Sequence, residues 1–406
     1  MLPRTLEPEA LRILSRWGKM VFISGPRQVG KTTVARHIQK GYPDSLYFSW
    51  DLVTDQRRLA RDPYFFDKEA RRGSGPRLLV FDEIHKYRRW KSYLKGVYDG
   101  FREDHRVLVT GSGRLDLYRK GGESLLGRYM GLPLFPLTAG ELLGNRPSWR
   151  AFEKALRAPS PEARNAGKTF DRLFEFSGFP EPYVRRSKEF YRAWSSSRSQ
   201  LLVREDIRDA TNIRQISLVE MLVQLLEPRV GGLLSINSLR EDLGVAFETV
   251  RDWLQVLEDF YLLFRVRPHE GTLTRLLRKE TKLYLYDWRT VEAPPARFEN
   301  LVAIHLLKAV RTWTALGHAR MELRYVRDKE KREVDFLVMA EGKPALLVEC
   351  KVSEANLSPH LLYFQERLNV PVAVQLLLEK GHDREWRIRK RTQRVISADR
   401  WLALLP

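Results

Sequence analysis

Residues 25–33 of this 406-residue chain have the types and spacing needed to bind phosphate groups. They follow an apolar segment and precede a segment with helical periodicity. Glycines here would let backbone N–H groups wrap the phosphates, Lys31 would reach the terminal phosphates, and the Thr32 hydroxyl would ligate magnesium. We therefore predict a nucleotide-binding loop that consists of Gly25, Pro26, Arg27, Gln28, Val29, Gly30, Lys31, Thr32 and Thr33.

An acidic pair, Asp82 and Glu83, follows the apolar segment 77–81. At the end of a buried strand, Asp82 would enter the magnesium shell and Glu83 would orient or deprotonate the attacking water. Such a pair can also be a simple helix cap, but the loop upstream favours ATP hydrolysis over passive binding. Ser112, at the end of a further strand, would sense the γ-phosphate. Arg128 is a candidate arginine finger, acting within its subunit or on a neighbouring one, or an ordinary salt-bridging arginine, and its spacing does not decide between these roles.

A second group of polar residues, near the C-terminus, could hold a metal ion. Thirteen residues separate Asp335 from Glu349, and Lys351 shares a strand face with Glu349 because side chains alternate along a strand. Two carboxylates brought together by a hairpin could bind Mg²⁺ or Mn²⁺ and activate water, with Lys351 positioning the reacting groups. Glu299 would add a third carboxylate, and Gln365 would contact metal-bound water or phosphate. The alternative is a set of solvated charges at strand ends, since this spacing alone is common.

Four regions with different hydrophobic patterns would position these residues. In the first region apolar strands alternate with helical segments, which is typical of a parallel sheet with helical crossovers. The second is helical with a loop at 177–182, and the third reads as two helices around a turn at Gly244 followed by a strand, the layout of a winged helix. The fourth returns to strands and helices, with a hairpin over 334–351. The predicted boundaries are 1–144, 145–230, 231–275 and 276–406.

The chain is strongly basic, with 71 Lys and Arg residues against 51 Asp and Glu residues and a formal net charge of +20. This favours a polyanionic partner such as DNA, although a general surface bias would give the same total. The net charge is +10 in residues 1–144, +3 in 145–275 and +7 in 276–406. Because the winged-helix region is nearly neutral, we expect it to pack within the assembly rather than to read bases. The basic run 384–391 predicts an edge strand with arginines on one face, either for phosphate contacts or for protection against aggregation.

The remaining composition limits the class of protein. A single cysteine, Cys350, rules out a disulfide framework and fits a reducing compartment. The sequence has no run of about 18 apolar residues that would span a membrane, and its first residues lack the apolar region of a signal peptide. We therefore expect a cytoplasmic protein without membrane contact. The histidines show no metal-ligand spacing and no GxSxG motif occurs, which argues against zinc and serine hydrolases.

Several motifs together resemble a known family. They are the loop 25–33, the acidic pair, TGSG at 110–113, ESLLGR and LPLFPLTAGEL between 123 and 142, SGFPEP at 177–182, KLYLYDW at 282–288 and FENLV at 298–302. Nearly end to end, the chain resembles prokaryotic AAA-type ATPases of the archaeal ATPase group. The resemblance implies ATP rather than GTP, a winged helix, and a C-terminal domain similar to PD-(D/E)XK nucleases, in particular archaeal Holliday junction resolvases. One difference is that the TGSS-like element of the group reads TGSGR here.

The residues and the resemblance together predict an α/β protein with a P-loop AAA-type ATPase core, a helical lid, a winged helix and a C-terminal restriction-endonuclease-like domain. The function expected from them is an ATP-dependent DNA-processing motor, working as a hexameric ring, fused to a metal-dependent nuclease. Its substrate would be branched DNA, such as Holliday junctions, or single-stranded DNA. The alternative is an ATP-driven switch or scaffold whose nuclease-like domain binds DNA or protein without cleaving it.

Overall fold

The computed structural model describes residues 2–111, 113, 125–158, 164–208, 211, 213–269 and 280–406. The chain forms two compact units, an N-terminal unit of Arg4–Phe135 and a C-terminal unit of Pro136–Pro406 that also takes in the first residues of the chain. The three regions predicted after residue 144 all lie in the C-terminal unit. Each unit is described by itself below.

The N-terminal unit contains a five-stranded parallel sheet. Its strands are β1 (Met20–Ser24), β2 (Ser45–Ser49), β3 (Arg77–Asp82), β4 (His105–Gly111) and β5 (Tyr129–Pro133), and their order is β2-β3-β4-β1-β5. Its helices are α1 (Glu7–Arg12), α2 (Lys31–Lys40), α3 (Val53–Arg61) and α4 (Trp90–Phe101). Four of the strands coincide with the predicted apolar segments, and their parallel pairing confirms the predicted type of sheet.

Burial on both faces explains why the central strands are almost continuously apolar. Residues 78–81 of β3 and 107–109 of β4 are all buried, and the ring of Phe81 packs edge-on against Tyr93. A strand without a solvent-facing side loses the alternation of apolar and polar residues. The polar residues that interrupt this pattern, Asp82 and Thr110, therefore mark the ends of β3 and β4, where the sheet can present chemistry.

The C-terminal unit begins with helices. They are α5 (Ala139–Leu142), α6 (Trp149–Ala155), α7 (Ala166–Phe176), α8 (Pro180–Arg185), α9 (Lys188–Leu201) and α10 (Ile216–Leu226). Helix α8 starts inside the segment 177–182 that the sequence indicates as a loop. Proline is favoured in the first turn of a helix, where its missing N–H is not required. The loop is therefore limited to residues 177–179.

Two helices around a tight turn follow, as predicted. They are α11 (Ile236–Leu243) and α12 (Phe247–Asp259), and Gly244 between them has a left-handed backbone with a φ of 67°. The next strand, β6 (Leu263–Pro268), pairs with β7 (Lys282–Leu285) in antiparallel and with β8 (Met321–Arg327) in parallel fashion. The predicted boundary between residues 275 and 276 thus falls inside one sheet, because β6 completes its backbone hydrogen bonds with strands of the next region.

This sheet is mixed and has eight strands among the described residues. Its other members are β9 (Glu333–Ala340), β10 (Lys343–Lys351), β11 (Val372–Leu377), β12 (Asp383–Ile388) and β13 (Arg391–Ser397), in the order β12-β13-β11-β10-β9-β8-β6-β7. Helices α13 (Pro294–Ala315), α14 (Pro359–Arg367) and α15 (Ala398–Leu402) complete the unit. Strands β9 and β10 are antiparallel neighbours, which confirms the predicted hairpin. Within the described part of the chain, no helix has the length and apolar character needed to cross a membrane.

The basic run 384–391 contributes the edge strand β12, as predicted, but the strand does not continue through the run. It ends at Ile388, Arg389 has a left-handed backbone with a φ of 56°, and Arg391 begins β13. The expectation of one strand face lined by arginines is therefore wrong, because the chain reverses direction within the run. Arg387, which does lie in β12, forms an ion pair with Glu385 at 2.7 Å.

Candidate active sites

The predicted nucleotide-binding loop lies between β1 and α2 in the N-terminal unit. Gln28 and Gly30 have left-handed backbones, with φ values of 63° and 99°, and this conformation lets successive N–H groups converge on an anion. At Gly25 a side chain cannot be accommodated, because a Cβ there would overlap the carbonyl oxygen of Leu134. The loop opens directly into α2, so its N–H groups and the positive end of the helix act on the same place.

Lys31, the first residue of α2, lies within the curve of this loop. Its Nζ donates to the carbonyl oxygen of Pro26 at 2.8 Å and to that of Gly25 at 3.1 Å. These contacts hold the ammonium group against the backbone that would surround the phosphates. A lysine at this position can neutralise the charge of a terminal phosphate.

The carboxylate of Asp82 accepts hydrogen bonds from three hydroxyl groups. Thr32 Oγ1 donates to Oδ2 at 2.8 Å, Tyr47 also donates to Oδ2, and Thr110 donates to Oδ1. Burial and the Asp82 carboxylate raise the pKa of Tyr47, so its hydroxyl remains a donor. Thr32 and Asp82 together present the kind of oxygen ligands that Mg²⁺ prefers. The residues present therefore fit a magnesium ion that accompanies a bound nucleotide.

Glu83 leaves the strand direction with a left-handed backbone, at a φ of 58°. Burial raises the pKa of its carboxyl group. The carboxylate lies 3.7 Å from Nε2 of His85 and 3.9 Å from Nζ of Lys86. Burial also lowers the pKa of His85 to about 4, so this imidazole is neutral near pH 7. A carboxylate with a raised pKa beside a phosphate site has the properties of a general base.

The other two residues predicted for this site have different outcomes. Arg128 binds the Asp99 carboxylate through Nε at 2.7 Å and Nη2 at 2.9 Å, which is the salt bridge that the sequence left open as the alternative to an arginine finger. Ser112 lies outside the described residues. Sequence analysis missed Tyr47 and Thr110 as partners of Asp82. For Thr110 a signal was available, because it stands in the TGSG motif.

In the C-terminal unit, Lys282 of β7 lies at the centre of the predicted carboxylate cluster. Its Nζ is 3.2 Å from Oε1 of Glu299, 2.8 Å from Oε1 of Glu333 and 3.0 Å from Oδ1 of Asp335, and its side chain is only 2% exposed. Burial alone would lower the pKa of this lysine. Tyr284 and the three carboxylates outweigh burial and raise the pKa well above its usual value. Lys282 is therefore a charged group that joins α13 to β9.

Asp335 and Glu349 lie at the same end of the β9–β10 hairpin. The backbone N–H of Cys350 donates to Oδ2 of Asp335 at 2.9 Å, and Nζ of Lys351 is 3.3 Å from Oε1 of Glu349. Burial and then the Asp335 carboxylate raise the pKa of Glu349 to about 8. The same two causes raise the pKa of Glu299 to about 7. The four residues predicted for this site therefore belong to one electrostatic cluster.

Gln365, the fifth residue predicted here, is used differently. Its Nε2 donates to the carbonyl oxygen of Thr392 at 3.0 Å, and its Oε1 accepts from Gln393 at 2.9 Å. Both ends of the amide thus fasten α14 to β13 rather than pointing at a metal. Sequence analysis missed Lys282 and Glu333, although Glu333 shares a strand face with Asp335 by the two-residue period.

The cluster does not fit a divalent metal ion in this arrangement. Mg²⁺ binds carboxylate oxygens at about 2.0–2.1 Å, whereas the space between Glu299, Glu333 and Asp335 holds an ammonium group at hydrogen-bonding distance. Among the described residues, no group of three or more His, Cys, Asp or Glu side chains is placed to hold a metal ion. The metal-binding role predicted for Glu299, Asp335 and Glu349 would require Lys282 to move.

Comparison with protein families supports the assignment of the N-terminal unit. Residues 18–143 match the family described as an AAA domain. Residues 167–288 and 296–401 match two families described as domains of unknown function, DUF8612 and DUF4143. Lys282 comes from the first of these two stretches and the carboxylates around it from the second. Together with the loop and the acidic pair, the first match supports an AAA-type ATPase domain that binds nucleotide.

Individual relatives add no activity. Uncharacterized proteins of Mycobacterium bovis and Mycobacterium tuberculosis are 25% identical over 80% of this chain and 68% of their own length. An uncharacterized protein of Methanocaldococcus jannaschii is 25% identical over 65% of this chain and 60% of its own. The structure of AMPPCP-bound DnaA from Aquifex aeolicus matches with a TM-score of 0.30 and 13% identity over 62% of this chain and 86% of that one, which is too low to carry an argument.

Proposed function

We propose that this protein is an ATP-driven switch in which hydrolysis by the N-terminal unit controls partner binding by the C-terminal unit, without cleavage of DNA. The observation that carries hydrolysis is the arrangement of Thr32, Asp82 and Glu83 beside the phosphate loop. When bound with ATP, Mg²⁺ neutralises charge that develops on the phosphate oxygens. Thr32 and Asp82 would ligate it, Lys31 would bind the terminal phosphates, and Glu83 would accept a proton from the attacking water.

Lys282 favours the switch over the fused motor and nuclease. Metal-dependent phosphodiester cleavage needs a divalent ion between the carboxylates, and the Lys282 ammonium group lies at that position. DNA remains the proposed partner because of the net charge of +20, which supports phosphate contacts that weaken with salt. A hexameric ring stays a prediction, and a role for Arg128 between subunits would require its release from Asp99.

The test of hydrolysis compares Glu83→Gln with Glu103→Gln. We expect Glu83→Gln to lower ATP turnover by about 10²- to 10⁴-fold, the usual contribution of a general base, while ATP binding is kept. Glu103 is an exposed glutamate of the same unit, so its replacement should leave turnover unchanged. Normal turnover by Glu83→Gln would remove this residue from the mechanism.

The test of the switch measures binding of labelled four-way junctions and single strands, at low and high salt, with Mg²⁺ or Mn²⁺ present. The proposal expects binding that differs between Glu83→Gln with ATP and the wild type with ADP, and that weakens as salt is raised. It also expects intact DNA and ATP turnover that DNA does not stimulate. Metal-dependent cleavage that disappears in Asp335→Asn would establish the nuclease instead.

A further inference from the structure

We propose that Lys282 is the resident cation of the C-terminal carboxylate cluster and that this cluster takes no divalent metal ion. The inference deepens the proposed function and rests on its claim that the C-terminal unit does not cleave. The first argument is the use of hydrogen-bond donors. An ammonium group has three N–H donors, and three carboxylate oxygens, from Glu299, Glu333 and Asp335, lie 2.8–3.2 Å from Nζ. The donors and acceptors therefore match in number.

The backbone of Lys282 is held on both sides, so its side chain has a defined direction. In the sheet Lys282 pairs with Val266 of β6. On the opposite side it forms a bridge with Leu233, and the N–H of Leu234 donates to the carbonyl oxygen of Thr281 at 2.8 Å. A lysine whose Cα is fixed in this way reaches the carboxylates as a built part of the sheet rather than as a mobile surface chain.

The segment that holds Lys282 also covers the cluster. Gly231 has a left-handed backbone with a φ of 79° and lies so close to the Glu299 carboxylate that a Cβ on it would be 3.2 Å away. Its N–H donates to the carbonyl oxygen of Leu283 at 2.9 Å. On this side the carboxylate therefore meets backbone, where the water ligands of a magnesium ion would otherwise stand.

The charges of the cluster nearly balance without a metal ion. The carboxylates are those of Glu299, Glu333, Asp335 and Glu349. Against them stand Lys282, Lys351, which is 3.3 Å from Glu349, and Arg327, which is 2.8 Å from Glu333. The two lysines differ in kind, because Lys351 is 34% exposed and Lys282 only 2%. Lys351 has the position expected of a residue that meets a partner, whereas Lys282 has that of an internal counter-ion.

The experiment titrates Mn²⁺ into the nucleotide-free full chain and follows bound metal by electron paramagnetic resonance. Four proteins are compared: the wild type, Asp335→Asn, Lys282→Met and the double variant Lys282→Met with Asp335→Asn. We expect the wild type and Asp335→Asn to bind Mn²⁺ equally weakly. Lys282→Met, which removes the ammonium group and keeps the length of the side chain, should gain one site at least about tenfold tighter, and the double variant should lose it. Lys343→Met, at an exposed lysine of β10, is the matched control and should behave as the wild type.

Two results would overturn the proposal. One is Mn²⁺ binding by the wild type that disappears in Asp335→Asn, and the other is a folded Lys282→Met that gains no site. If Lys282→Met does not fold, the comparison of the wild type with Asp335→Asn still decides. Failure of the ATPase proposal would appear separately, as turnover unaffected by Glu83→Gln, and would leave the Mn²⁺ result unchanged.

Discussion

Replacing Glu349 by glutamine should stabilise the C-terminal unit at alkaline pH and change little at acidic pH. Its Oε2 is buried and has no hydrogen-bond partner among the described residues, and its Oε1 meets only Lys351 in the ion pairs found there. Burial raises the pKa of this carboxyl group from 4.5 to about 8. A carboxyl group with a raised pKa in the folded state stabilises the fold below its unfolded pKa, and this contribution is lost as the pH rises through the folded pKa.

The distance between the two pKa values sets the size of the effect. At about 1.4 kcal/mol per pH unit, ionising Glu349 in the folded chain lowers the free energy of unfolding by up to about 5 kcal/mol above pH 8. Between about pH 5 and pH 9 the wild type should lose roughly 4 kcal/mol through this group. Glutamine keeps the shape and does not ionise, and loss of the partly exposed ion pair with Lys351 costs at most about 1 kcal/mol. The variant should exceed the wild type by roughly 3 kcal/mol near pH 9.

The assay is urea unfolding of the full chain at several pH values, followed by tryptophan fluorescence. Seven of the ten tryptophans lie in the C-terminal unit, so the signal reports mainly on it. Glu153→Gln is the control, because Glu153 forms an exposed ion pair with Arg157 at 3.3 Å and should change the free energy of unfolding by less than about 0.5 kcal/mol at every pH. If Glu349→Gln is less stable than the wild type near pH 9, the Glu349 carboxylate is ionised and favourably paired, and the reasoning from burial is refuted.

Two further substitutions test the N-terminal unit. Tyr47→Phe removes one hydroxyl that orients the Asp82 carboxylate, so we expect the Mg²⁺ concentration for half-maximal ATP turnover to rise by roughly 2- to 10-fold, with the fold kept in circular dichroism; an unchanged Mg²⁺ requirement would show that Tyr47 is not a positioning residue. Arg77→Met removes a buried guanidinium group that binds Asp44 at 2.9 Å and the carbonyl oxygen of Phe66 at 2.7 Å. It should lower the free energy of unfolding by about 3–5 kcal/mol in urea titrations, and a loss below about 1 kcal/mol would contradict the assignment of a buried ion pair.

Most of the nucleotide site could be predicted because its residues follow one another closely. The loop 25–33 and the acidic pair each stand at the end of an apolar strand, and in a parallel sheet such ends meet at one edge. Tyr47 could not be identified in this way. It lies within β2, and only the pairing of β2 with β3 brings its hydroxyl to Asp82.

The C-terminal cluster was predictable only in part. The spacing of Asp335, Glu349 and Lys351 and the turn between their strands were enough to predict the hairpin. Lys282 lies 53 residues before Asp335 and begins a short strand of apolar residues, where a lysine looks like an ordinary solvent-facing end. Its place among the carboxylates depends on the order of β7, β6, β8 and β9 in the sheet, which no local pattern encodes.

By itself the sequence determined that this chain carries a phosphate-binding loop with a magnesium-type acidic pair, because those groups need only local geometry and the end of an apolar strand. It also indicated which C-terminal carboxylates would assemble. Only the tertiary structure decided what lies between them. A buried carboxylate can be balanced by a metal ion or by a lysine, and the choice depends on which distant strand the sheet places beside it. Here β7 brings Lys282 to that position, which turns a predicted metal site into a cluster with its own cation.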